Sequence, residues 1–189
     1  MPYIFAYFIL LFALISPALA WGLHTEVGIT HTYKKTSFDR DNFTESQSTT
    51  GSISLYFWER VALELSYTRG LSVRQEKQLT LPIRTISQSY EVYGTDLIWA
   101  LSDRRARIQP YVKGGFAYIS KRQRVQDAGD PAFEIRPEPG WAPSYGVGAR
   151  FLITPRLAIR FSVDAWQTPI DGDIRTEDIA SRVGLTWTL

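Results

Sequence analysis

The chain has 189 residues, no cysteine and a formal net charge of +2. This excludes a disulfide framework, a cysteine metal site and a thiol nucleophile, and the near balance of charge gives no bulk signature of a nucleic-acid binder. Aromatic residues make up 14% of the chain. Mean hydropathy is close to zero, which hides a transmembrane β-barrel rather than excluding one, because such a barrel places apolar residues only at alternate positions.

The first element is the apolar run YIFAYFILLFALIS (Tyr3–Ser16), followed by Pro17 and the small-x-small triplet Ala18-Leu19-Ala20. It reads as a cleaved secretory signal peptide over residues 1–20, leaving a single domain over 21–189. From Trp21 to Tyr33 the odd positions carry Trp21, Leu23, Thr25, Val27, Ile29, His31 and Tyr33, while the even positions carry Gly22, His24, Glu26, Gly28, Thr30 and Thr32. Period-2 alternation of this kind is a half-buried strand. The same pattern recurs near 51–58, 61–68, 90–101, 109–119, 143–153, 156–166 and 178–189, giving eight strands.

The connections alternate in length. Long polar segments fall near 34–50, 69–85, 120–140 and 167–177, and the short turns are WERV, SDRRAR and ITPR. An even number of antiparallel strands with long connections at one end and short ones at the other predicts an all-β fold, a single eight-stranded antiparallel up-and-down transmembrane β-barrel. Both termini then lie at the short-turn, periplasmic end.

Alternation alone leaves open which face meets lipid, since a soluble sandwich or carrier barrel would turn its apolar face inward. The polar face here is rich in Gly, Ser, Ala and Thr and carries four acids and four bases: Glu26, Glu64, Asp96, Asp164, Lys113, Arg150, Arg160 and Arg182. Small residues and balanced charge suit a narrow lumen, where an unpaired ion is costly. On the apolar face the aromatics sort by height. Trp21, Phe57, Trp99, Phe151 and Trp187 lie near the short-turn ends, and Tyr33, Tyr67, Tyr118 and Tyr145 near the long-connection ends. Two aromatic girdles around an aliphatic band are what a lipid-spanning barrel needs. The chain also stops on an alternating strand, RVGLTWTL, which a closed barrel would pair with its first.

Two stretches carry a family resemblance. GARFLITPRLAIRFSVDAW (Gly148–Trp166) resembles the sixth strand, turn and seventh strand of the OmpA-type eight-stranded outer-membrane barrels, and QPYVKGGFAYI (Gln109–Ile119) resembles their fifth. The resemblance implies that Lys113 and Arg160 point into the lumen, and that the chain sits in the outer membrane of a Gram-negative bacterium. Arg150 stands where the family's namesake has an acid, so pairing partners do not carry over. Leu189 stands where many relatives end in Phe, and the expected layout is a barrel without the family namesake's peptidoglycan-binding domain.

The lumen charges admit two readings, a structural ion network or a gated path. Basic residues at the long-connection rim, Lys34, Lys35, Arg69, Lys121 and Arg122, with Arg74, Arg84 and Arg124, are candidates for lipopolysaccharide phosphates. His24 shares the polar face with Glu26, His31 lies on the lipid face, and Ser52 or Ser54 is the nearest candidate nucleophile. The His-x-Ser strand motif of lipid A deacylases reads His31-Thr32-Tyr33 here. Asp171-Gly172-Asp173 with Glu177 and Asp178 reads as a glycine-centred turn rather than a calcium site. The expected function is therefore non-enzymatic and without cofactor or metal. It is a monomeric structural and surface-interaction barrel, whose partners are outer-membrane lipids, lipopolysaccharide, the barrel-assembly machinery and an unspecified surface ligand, not nucleic acid. A narrow passive channel and a periplasmic soluble carrier are the alternatives.

Overall fold

The computed structural model describes residues 24–37, 42–77, 84–127, 131–171 and 174–189. The proposed signal peptide and Trp21 lie outside them. Among the described residues nine strands follow one another: β1 (His24–Ser37), β2 (Phe43–Tyr56), β3 (Val61–Glu76), β4 (Arg84–Ala100), β5 (Ile108–Asp127), β6 (Phe133–Ile135), β7 (Gly140–Leu152), β8 (Leu157–Asp171) and β9 (Ile174–Thr188). Eight of them are barrel staves, and β6 is a three-residue addition to the upper part of β5. Every neighbouring pair is antiparallel. The β4–β5 ladder and the six β1–β9 pairs from Glu26↔Thr188 to His31↔Val183 close the sheet on itself, so through this part of the barrel every stave has a partner on both sides.

The eight-stranded antiparallel barrel read from the alternation is the fold that forms. Exposed apolar residues such as Ile29, Leu65, Leu97, Phe116, Val147, Val163 and Leu185 cover the outside, while the inside holds buried Thr30, Ser54, Thr68 and Thr186 with the charged residues. A water-soluble barrel has the reverse arrangement.

The structure differs from the sequence reading in strand length. Segments expected as long polar connections are mostly ladder: β4 has 17 residues and β5 has 20, whereas about 9–11 tilted residues cross a bilayer. Their pairing runs unbroken from Ala100↔Tyr111 to Arg84↔Asp127. Above the lipid both faces of a strand meet water, so apolar alternation disappears while backbone pairing continues. That is why these extensions read as loops.

Tyr67, Tyr93, Tyr118 and Trp141 are successive ladder partners on β3, β4, β5 and β7. Tyr67 and Tyr93 have ring centroids 5.0 Å apart, and Tyr118 and Trp141 are 5.4 Å apart. This row marks the upper edge of the apolar surface over half of the circumference. At the other end Trp99, Phe151, Phe57 and Trp187 are exposed.

Candidate functional site

The lumen is built from one parity of positions on all eight staves. None of the eight inward charges is more than 9% exposed. Lys113 Nζ lies 3.3 Å from Glu64, 3.0 Å from Asp96 and 3.1 Å from Asp164. Arg160 places both terminal nitrogens on the Glu64 carboxylate, and Ser54 donates to the same group at 3.1 Å. Arg182 pairs with Asp164 at 3.2 Å. Arg150 pairs with Glu26 and donates to the Tyr56 hydroxyl, while Arg160 Nε donates to the Tyr111 hydroxyl at 2.6 Å. The network therefore touches every stave. Buried ions of both signs satisfy one another in a space where an isolated one would be expensive.

Tyr56 and Tyr111 belong to the site although the sequence analysis did not single them out. Both sit on the inward parity, beside Ser54 and Lys113, and that parity was the available signal. Gly148 makes room for Tyr111, because a Cβ there would overlap the phenol ring. Above the ions lies an apolar layer, also unforeseen, of Val92, Ala117, Ile119, Ala142, Trp166 and Ala180. Between the two layers the cavity lined by Asp96, Lys113, Asp164 and Trp166 holds only about 20 Å³, room for about one water. Wider vestibules of about 630 and 540 Å³ open below and above.

The basic rim divides in two. Lys34 and Lys121 line the upper vestibule, and Lys121 pairs with Asp178 at 2.7 Å. This removes Lys121 from the outward surface and engages Asp178; the Asp171–Asp173 turn itself lies among side chains outside the described set. Lys35, Arg69, Arg122 and Arg124 are exposed. Lys35 lies 4.0 Å from Glu45. Arg69 is two residues beyond Tyr67 on the same face of β3, and Arg122 and Arg124 are four and six beyond Tyr118 on β5. Glu134, the ladder partner of Arg124, is bonded to Arg136 Nε at 2.8 Å; Arg136 first, then Arg122 and Arg124, hold its carboxyl below the usual range.

The histidines are apart. His24 is exposed at the lower vestibule, and His31 Nδ1 lies 3.2 Å from Thr49 Oγ1 on the outer face. Among the described residues no carboxylate hydrogen-bonds or ion-pairs with His31, Ser54 is committed to Glu64, and no cluster of three or more metal-ligating side chains forms.

A known family accounts for this architecture: the outer membrane protein beta-barrel domain matches residues 6–186. The chain belongs to this family. Among solved structures, the N-terminal barrel of Pseudomonas aeruginosa OprF is 15% identical, with a TM-score of 0.53 and coverage of 88% of this chain and 97% of that one. Neisserial surface protein A is 13% identical, with a TM-score of 0.53 over 89% and 96%. Ail of Yersinia pestis is 12% identical, with a TM-score of 0.52 over 88% and 97%. At these identities the likeness is one of fold. No curated protein sequence matches the chain. An outer-membrane barrel of the bacterial cell envelope follows from the family, with its apolar band in lipid.

Proposed function

We propose that this barrel is a non-enzymatic surface-interaction protein whose working face is the outside of its extracellular strand extensions, where it engages lipopolysaccharide phosphates. One observation carries the reading. Arg69, Arg122 and Arg124 project from rigid ladder directly above the tyrosine row, the level at which an outer-leaflet phosphate layer would lie. Guanidinium groups bind phosphate in a planar, two-pronged geometry. Because the arginines sit on paired strands rather than on loops, little ordering entropy opposes binding. The lumen supports the same reading from the other side, since Glu64–Arg160 and Lys113 with its three acids fill its width.

The test compares thermal unfolding of the barrel in nanodiscs of phosphatidylcholine with and without lipopolysaccharide. The native chain gains stability with lipopolysaccharide, and R69S/R122S/R124S loses most of that gain while melting normally in phosphatidylcholine. Lys121→Gln, inside the vestibule, keeps the gain. An equal gain in the triple variant overturns the proposal.

A further inference from the structure

The seam between β1 and β9 is closed only in its lower part. The two strands pair from Glu26↔Thr188 to His31↔Val183 and share no ladder pair above. β1 nevertheless continues beside β2 to Ser37↔Phe43, and β9 beside β8 to Asp171↔Ile174. Two strand edges therefore face each other across a gap. The upper vestibule, about 540 Å³, reaches into this gap. On the other staves it meets inward residues only, such as Ser72, Gln88 and Trp166. On β1 it meets the consecutive Thr32, Tyr33 and Lys34, and on β9 the consecutive Asp178 to Ser181. Consecutive residues of a strand point to opposite faces, so at this seam the cavity runs through the wall to the outside.

The gap lies at the top of the apolar band. Ile29 and Val183 are exposed on the outer face just below it, and Tyr33 and Ile179 flank it. Unpaired backbone at membrane depth is tolerated only where it lines a cavity, as it does here. The floor inside is apolar: Trp166 and Ala180 belong to the inward apolar layer, and Tyr90 packs against it. Thr32 Oγ1 and Trp166 Nε1 are buried with no hydrogen-bond partner among the described residues. The two lysines of the vestibule differ. Lys121 is paired with Asp178, whereas Lys34, on the inward parity of β1 beside the gap, has no carboxylate partner among the described residues. We propose that the upper vestibule is a side-entry pocket for a single-chain carboxylate amphiphile, a fatty acid, whose chain lies on the Trp166 floor and whose head meets Lys34. Its volume is in the range that encloses one small ligand. Below, the cavity narrows to about 20 Å³ beside Lys113 and Asp164, so a bound chain stops there and nothing passes through the lumen. The pocket does not depend on the phosphate-binding outer face and stands or falls separately from that reading.

The experiment measures quenching of Trp166 fluorescence by an ω-brominated undecanoic acid, with the barrel in phosphatidylcholine nanodiscs at a pH where the acid is ionised. W21F/W58F/W99F/W141F/W187F leaves Trp166 as the one tryptophan. Its quenching saturates at one acid per barrel, whereas a chain keeping only Trp99, on the lipid face, shows a rise proportional to the acid dissolved in the lipid. With all other tryptophans retained, Trp166→Phe removes the saturable part, so the result does not hang on the folding of the multiple variant. Lys34→Gln weakens binding about tenfold, the loss of one charge-assisted hydrogen bond, and removes the preference for the acid over the matching bromoalcohol. R69S/R122S/R124S binds like the native chain. Ser181→Trp, which fills the gap from outside, slows uptake, while Gly51→Trp, on the outer face with nothing within 4 Å of an added Cβ, does not. Quenching of Trp166 without saturation, or equal affinity of the native chain for acid and alcohol, overturns the pocket. Unchanged uptake in Ser181→Trp overturns the side entry.

Discussion

Arg160 on β8 meets Glu64 on β3 across the full diameter of the barrel, four staves away in either direction, with both guanidinium nitrogens on the one carboxylate. Both residues are buried. A pair in this position fixes the lumen's width, and it couples strands that share no ladder. Removing one partner strands a buried ion, at a cost of about 3–5 kcal/mol, while replacing both with apolar groups of similar size costs far less.

Arg160→Met and Glu64→Leu should therefore each lower stability by several kcal/mol, and R160M/E64L should recover part of that loss. Lys113 remains as a counter-ion for Asp96 and Asp164 in the double variant, so recovery is partial. Denaturant unfolding in lipid vesicles measures this. Strictly additive losses would show that the two residues do not form a unit.

Two glycines separate a steric requirement from a tolerant position. A Cβ on Gly184 would collide with the Ile29 carbonyl oxygen across the β1–β9 closure, whereas one on Gly51 meets nothing within 4 Å. Gly184→Ala should sharply reduce the folded fraction, because it wedges apart the ladder that closes the barrel, and Gly51→Ala should leave it unchanged. The shift in electrophoretic mobility between folded and heat-unfolded barrel reports both.

The sequence made the barrel legible because lipid imposes a strict rule: over Val61–Tyr67 or Leu157–Val163 every second residue must be apolar, and no other solvent enforces that on a strand whose other face is charged. Inward residues such as Lys113 and Arg160 were legible through the same parity. Pairing was not, because Glu64–Arg160 depends on which staves face each other across the closed sheet, a property of the whole chain. The inward apolar layer of Val92, Ile119 and Trp166 hid because inward apolar residues break the very alternation used to find strands. Lys121 illustrates a third limit. Its spacing placed it among rim cations, but its inward parity puts it beside Asp178 on β9, a strand end more than fifty residues away.

The paired extensions also predict a pattern of hydrogen exchange. Amides of β5 from Arg122 to Gln126, paired with β4 and in part with β6, should exchange markedly more slowly than those of Ala132, Arg136 and Glu138, which lie outside any strand. Pro137 and Pro139, interleaved with the last two, carry no amide hydrogen and cannot join a ladder as donors. Exchange of the barrel in nanodiscs, resolved by overlapping peptides, separates the two segments. Equal, fast exchange in both would return the upper part of β5 to a loop.

Lipid contact at the tyrosine row is testable separately. Tyr93 is exposed and stacks on Tyr67, whose hydroxyl donates to Glu91 at 3.3 Å. Tyr93→Lys should be tolerated at this interfacial level at a cost of about 0–1 kcal/mol, while Leu97→Lys, four residues deeper on the same face, should cost about 2–4 kcal/mol. Reversible unfolding in phospholipid vesicles provides the comparison, and equal costs would contradict the assigned membrane level.

On the proposed function the barrel works from its outer surfaces and not through its lumen. Single-channel recording of the purified native chain in a planar bilayer decides between the two. With ions paired across the lumen at Glu64–Arg160 and around Lys113, and an apolar layer at Trp166 above them, the expected record is a flat baseline with no steady unitary conductance. Stable, reproducible open-channel steps from the native chain would contradict it.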